Sequence, residues 1–222
     1  MTRAVALLTL VLAVVAGPAA AQSTQHYYYL KPGAIDLTVL LPPPPDVASA
    51  QARSDEAQVA AAVAARSSAQ LFEAEDAAAR TVFFYAPSIG AGFTPARLPI
   101  TAAFFSRLGS DVKELVDEAK TYWERPRPDG AHKPRGSYPS GHAAFAAASA
   151  IVLAQLLPAK RDAIFTQART FAENRILLGL HYPSDIASGW TAGTLAVYVM
   201  MHDSAFRRDF AAAKDELRRA SL

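Results

Sequence analysis

Residues 143–157 read AAFAAASAIVLAQLL and residues 186–201 read IASGWTAGTLAVYVMM, and these two runs decide the fold. Each is apolar almost all the way round, so each is either a central helix of a globular core or a membrane span. Both fall short of the roughly 20 residues that cross a bilayer. The other helical stretches carry charge on one face, which makes these two the central helices of a core. Working outward, helical patterns cover 54–72, 74–85, 97–108, 110–124, 141–157, 159–179, 184–201 and 203–219. Breakers separate most of them: Pro87 with Gly90 and Gly92, Gly109, the 126–139 loop, Pro158, and Gly179 to Pro183. Ser54 is the expected N-cap of the first, with Asp55 and Glu56 as first-turn acids. β-branched alternation is nearly absent and no internal repeat is present. The expectation is an all-α, single-domain helical bundle over residues 54–222.

The N-terminus reads as an address. Arg3 is a short basic region, Ala4 to Ala16 an apolar one, and Ala19-Ala20-Ala21 offers small residues before Gln22. Residues 1–21 are therefore expected to be a signal peptide cleaved after Ala21, leaving no membrane insertion and a periplasmic or secreted product. Residues 22–53 form a Tyr- and Pro-rich arm in which Pro42 to Pro45 cannot be helix or central strand and should run as polyproline II. An ordered strap over the core is favoured for this arm, with subunit contact as the alternative. The chain has 222 residues and a formal net charge of +2, falling to +1 once Arg3 is removed. Such a balance gives no support for nucleic acid or an anionic membrane as the main partner. The absence of cysteine excludes thiol catalysis, Cys-ligated zinc and disulfide stapling.

Three clusters, two before the first of these runs and one between them, carry the chemistry. Lys120 and Arg127 are seven residues apart, close to two helical turns, so they can point the same way. Pro126 and Pro128 end that helix and set Arg127 beside the following loop. In Pro139-Ser140-Gly141-His142, Pro139 stops the preceding segment and Ser140 caps a helix beginning near Gly141. The free N–H groups of that helix start, with the Ser hydroxyl, make an anion site into which His142 projects. In the third cluster Arg175 lies on a helix ended by Gly179, His181 sits in the tight connection, and Pro183-Ser184-Asp185 opens the next helix. Asp185 can serve as first-turn acid and also bond one nitrogen of His181, fixing its tautomer. Cations, two histidines and one carboxylate in this order suit holding a phosphate-like anion while an imidazole attacks it. Arg125 reads as a surface charge. His26, His132 and His202 lack the pair spacing or carboxylate company of a metal site, and only His132 falls in the 126–139 loop.

These clusters resemble those of the type 2 phosphatidic acid phosphatase superfamily, which includes bacterial acid phosphatases, membrane lipid phosphatases and vanadium haloperoxidases. Gly136-Ser137-Tyr138-Pro139-Ser140-Gly141-His142 looks most like the class A bacterial non-specific acid phosphatases, as does the stretch from Tyr29-Leu30-Lys31-Pro32 through Leu40-Leu41 to Pro45. Two features depart from the family pattern. Asn174 stands where Ser usually precedes the third-cluster Arg, and the ten residues between Pro128 and Pro139 are at the short end of the family range. The resemblance implies His181 as nucleophile, Asp185 as its orienter and His142 as general acid and base. It implies a phosphate cradle of Lys120, Arg127, Ser140, Gly141 and Arg175, with no metal and no cofactor. The substrates implied are small phosphate monoesters of broad range, hydrolysed through a phosphohistidine, and the resemblance suggests a homo-oligomer. Membrane-integral relatives need about six spans, which this chain cannot supply. A vanadate-dependent haloperoxidase is one competing reading, opposed by the short chain. A phosphate-binding protein without turnover is another, opposed by the presence of both histidines and Asp185.

Overall fold

The computed structural model describes residues 27–76, 79–130 and 136–222, so the expected leader, His26 and His132 lie outside the described residues. Among the described residues the chain is helical without strands. The helices are α1 (Leu37–Leu40), α2 (Ala50–Ala65), α3 (Ser68–Asp76), α4 (Ala86–Ile89), α5 (Pro99–Trp123), α6 (Gly141–Leu156), α7 (Arg161–Leu177), α8 (Pro183–Met200) and α9 (Ser204–Arg219). Short 3-10 turns at Val82–Tyr85 and Pro158–Lys160 complete the order.

The two apolar runs are α6 and α8, and they form the centre as expected. α6 is buried on nearly every face and packs against α8, α7 and α5. Gly189 and Gly193 permit that contact. A Cβ on Gly189 would stand 2.3 Å from the Ser140 carbonyl oxygen, and one on Gly193 2.1 Å from that of Ala144. No side chain fits between the two backbones at these points. Within and around this pair, Phe104, Phe105, Leu108, Phe145, Leu153, Ile164 and Leu217 are essentially solvent-free.

Three local expectations need correction. Gly109 does not divide two helices, because α5 runs unbroken from Pro99 to Trp123. Its lack of a side chain serves packing instead, since a Cβ there would meet the Phe145 ring at 3.0 Å. Ser49, not Ser54, caps α2, its hydroxyl accepting from the Ala52 N–H at 3.0 Å. The helical pattern expected over 74–85 resolves into the end of α3 and the turn at Val82–Tyr85.

The arm docks on α5. The backbone N–H groups of Tyr28, Tyr29 and Leu30 all donate to the buried Asp111 carboxylate, at 2.8, 2.7 and 2.8 Å. Pro42 to Pro45 form neither helix nor strand. The Pro42 carbonyl accepts from the Tyr138 hydroxyl at 2.5 Å, and that hydroxyl accepts from Ser188 at 2.6 Å. The strap is thereby tied to the loop that leads into α6.

Candidate active site

Three helix ends meet at one place: the C-terminus of α5, the N-terminus of α6 and the α7–α8 connection. Gly179, at φ 71°, ends α7 in the left-handed conformation that glycine tolerates. The Arg175 carbonyl then accepts from the N–H groups of Leu180 and His181 at 3.0 and 3.2 Å. This tight reversal fixes the His181 backbone. Pro183 opens α8, and Asp185 Oδ2 accepts from the Tyr182 N–H at 2.9 Å, closing the helix start. The Asp185 carbonyl in turn accepts from the Ser140 N–H at 2.9 Å, so the start of α8 is bonded to the start of α6.

His181 is 3% exposed and contacts a different partner with each ring nitrogen. Nδ1 lies 3.2 Å from Asp185 Oδ2, and Nε2 lies 3.2 Å from Arg127 Nη1. A guanidinium only donates and a carboxylate only accepts, so the neutral ring must carry its proton on Nδ1 and a lone pair on Nε2. Burial lowers the His181 pKa to about 4, against the opposing effect of its hydrogen bond to Asp185. Burial acts to raise Asp185, but its bond to His181 and the charge of Arg125 outweigh this and hold it below the ordinary carboxylate value. The pair is thus a neutral imidazole on a charged carboxylate.

Lys120 and Arg127 stand within electrostatic reach of this ring, and Arg175 within reach of Arg127. Lys120 is 5% exposed and donates to the carbonyls of Gly136 and Ser137 at 2.8 and 2.9 Å, leaving one of its three N–H donors over. Burial, then the charge of Arg127, lowers its pKa to about 7. Besides His181, Arg127 donates to the Leu180 carbonyl at 2.9 Å and the Gly136 carbonyl at 3.3 Å. Arg175 is 7% exposed, and among the described residues its Nε and Nη1 have no hydrogen-bond partner, as is also true of Arg127 Nε. Burial, then the charges of Arg127 and Arg80, brings the Arg175 pKa down to about 10. Buried guanidinium donors without a protein partner, beside other cations, suit an anionic ligand. Ser140 is fully buried and caps α6, accepting from the Ala143 N–H at 3.4 Å. His142, in the first turn, is half-buried with its ring 5.7 Å from that of Phe171.

Arg125 is not the surface charge that its spacing suggested. Its side chain is 9% exposed, donating to Asp185 Oδ1 at 2.6 Å and Asp55 Oδ2 at 3.1 Å, with its guanidinium 4.1 Å from the Tyr182 ring centroid. Ser184 donates to the same Asp55 oxygen and accepts from Arg125 at 2.7 Å. Asp55, fully buried on α2, is thus linked through Arg125 to the carboxylate that orients His181. One signal for Asp55 was present: it falls on the apolar stripe Ala52, Asp55, Val59, where an acid needs a partner. Arg125 follows the helix end, where no periodicity reports the direction of a side chain.

Residues 100–209 match the PAP2 superfamily. An acid phosphatase of Zymomonas mobilis is 31% identical over 150 residues, 61% of this chain and 56% of that protein. A non-specific acid phosphatase of Salmonella typhi is 26% identical over 147 residues, 60% of this chain and 59% of that protein. The chain therefore spans less than two thirds of the length of these curated relatives. The crystal structure of a transmembrane PAP2-type phosphatidylglycerolphosphate phosphatase from Bacillus subtilis aligns with a TM-score of 0.51 at 22% identity, over 70% of this chain and 87% of that one. At that identity the likeness is one of fold. Among the described residues, no helix of this chain is long and apolar enough to cross a membrane.

Proposed function

This chain carries a PAP2 superfamily domain over residues 100–209, and from that premise we propose that it is an exported acid phosphatase acting on phosphate monoesters through a phosphohistidine. The observation that carries the reading is His181: a neutral imidazole with Nδ1–H on Asp185 and the Nε2 lone pair turned toward Arg127. Arg127 turns its Nη1–H from Nε2 to the arriving phosphate, which exposes the lone pair for attack. Nε2 forms a bond to phosphorus as the bond from phosphorus to the ester oxygen breaks, and His142 gives its proton to the leaving alkoxide. Water then attacks the phosphohistidine, His142 takes its proton, the N–P bond breaks and phosphate departs.

Charge accumulates on the equatorial oxygens in both steps. The unpaired donors of Arg175 and Arg127, the remaining Lys120 N–H and the α6 start supply fixed stabilisation there. These donors can do the work that divalent ions do elsewhere, so the reaction is assigned as metal-independent. Broad substrate range and export through the leader at 1–21 belong to the same proposal.

Phosphate release from p-nitrophenyl phosphate, with and without chelator, tests it. Activity is expected to survive the chelator, and vanadate, which adopts the five-coordinate geometry of the transition state, is expected to compete more tightly than phosphate. Activity lost to chelator and restored by a divalent cation would falsify the metal-independent mechanism. An absence of release under every condition removes the phosphatase reading.

A further inference from the structure

Arg80 belongs to none of the three clusters, yet its guanidinium reaches the start of α6. Its Nη1 lies 3.3 Å from where a Cβ on Gly141 would stand, so Gly141 leaves room for it beside the helix start. Its charge also weighs on Lys120 and Arg175, which places it within electrostatic reach of two cradle cations. Those two side chains are buried, whereas Arg80 is exposed, so it stands at the mouth of the cradle.

On its other side Arg80 lines a cavity of about 650 Å³ with Thr81, Phe83, Phe105, Ser106 and Lys113. That volume is in the range small ligands occupy. The Lys113 charge is met by Asp117 at 2.7 Å. Arg80 has no carboxylate partner among the described residues. Asp185 and Asp55 face Arg125 and His181, leaving Lys120, Arg127 and Arg175 for the transferred phosphate. A monoester carries at most two negative charges, which those three cations already exceed. The charge at the mouth therefore remains unmet by a monoester whose leaving group is neutral.

We propose that Arg80 binds a second anionic group of the substrate. The site then favours phosphate compounds with a further phosphate next to the scissile bond over esters of uncharged alcohols, with any organic remainder lying in the adjoining cavity. This inference rests on the phosphate-cradle reading above. Its reach is longer, because it names a substrate class and a residue outside the motifs.

Calorimetric binding of inorganic phosphate and of pyrophosphate, supplied as its non-hydrolysable methylene analogue, to the full chain, in chelator-treated buffer, tests it. The wild type is expected to bind pyrophosphate more tightly than phosphate. Arg80→Ala should weaken pyrophosphate by about tenfold beyond any loss for phosphate, the scale of one charged hydrogen bond. Arg80→Lys should recover part of the difference, and Arg80→Gln gives a second neutral variant of similar length should the Ala variant misfold. Equal losses for the two anions overturn the proposal, as does a wild type without preference for pyrophosphate. Hydrolysis measured in parallel separates the two readings. A wild type that binds pyrophosphate selectively but releases no phosphate removes the phosphatase reading and leaves Arg80 in place. An active wild type whose selectivity survives Arg80→Ala removes the Arg80 assignment alone.

Discussion

His181 is held between a group that can only accept and a group that can only donate, and that arrangement predicts its behaviour in acid. With its pKa lowered to about 4 by burial, the ring stays neutral, and so nucleophilic, well below the 6.5 of an ordinary histidine. Lys120 works in the opposite sense: it is charged below about pH 7 and loses its charge above it. The free enzyme therefore has its nucleophile and its cradle ready together between roughly 4 and 7. kcat/KM, which reports free-enzyme groups, should fall on the acid side near 4 and on the alkaline side from about 7. The alkaline loss should appear mainly in KM, because a bound phosphate keeps Lys120 charged. An acid limb at 6.5 in a pH profile with p-nitrophenyl phosphate would mean that some group other than His181 attacks. Asp185→Asn keeps the shape but offers an N–H to Nδ1, moving the ring proton to Nε2, where it faces the Arg127 donors. The analogous change in a serine protease triad costs about 10⁴-fold in kcat. A comparable fall is expected here, and an Asn variant with near-normal kcat would remove the orienter role.

At the scale of elements, the site depends on how closely α6 and α8 approach. Gly189 faces the Ser140 carbonyl and Gly193 the Ala144 carbonyl one turn on, so the two contacts differ mainly in distance from the chemistry. Gly→Ala at either position must push the helices apart, an overpacking cost of about 1–3 kcal/mol. Gly189→Ala also presses on the residue whose N–H is bonded to the Asp185 carbonyl, and so disturbs the register of the two helix starts. Both variants should lower the melting temperature, while Gly189→Ala loses more kcat than Gly193→Ala. Equal kcat values in the two folded variants would show that this contact does not set the site geometry. The same glycines explain what was legible in the sequence. α6 and α8 were plain because a run that is apolar all round has no surface to occupy. Gly109 misled because a glycine looks alike whether it ends a helix or admits a neighbouring ring, and only the position of Phe145 decides between them. Arg125 and Arg80 were illegible for a related reason. Both lie outside regular helix, where spacing says nothing about direction, and each reaches its partners across long sequence separations, as in the Arg125 bond to Asp55.

For the whole molecule, the cradle is a concentration of like charge that the fold must hold before any substrate arrives. α5 brings Lys120, the segment after it Arg127 and α7 Arg175, and the charge of Arg127 lowers the pKa of both other cations. The energy of that repulsion is carried by the packing of α5, α6, α7 and α8. A bound anion relieves it in the folded state alone, because the unfolded chain does not assemble the cluster. Phosphate should therefore stabilise the fold by mass action, by about 2.7 kcal/mol at a hundred times its Kd. For a domain of this size that corresponds to a rise of roughly 5–10 °C in Tm. Arg175→Met separates repulsion from binding. It removes one buried charge whose Nε and Nη1 have no partner among the described residues and keeps a flexible apolar stem in its place. The variant should melt above the wild type without phosphate, yet gain much less when phosphate is added, so that the two curves cross as phosphate rises. Scanning calorimetry over a phosphate series reads both effects in one experiment. If Arg175→Met is less stable at every phosphate concentration and keeps the full phosphate increment, Arg175 is a packing residue and the cradle does not include it.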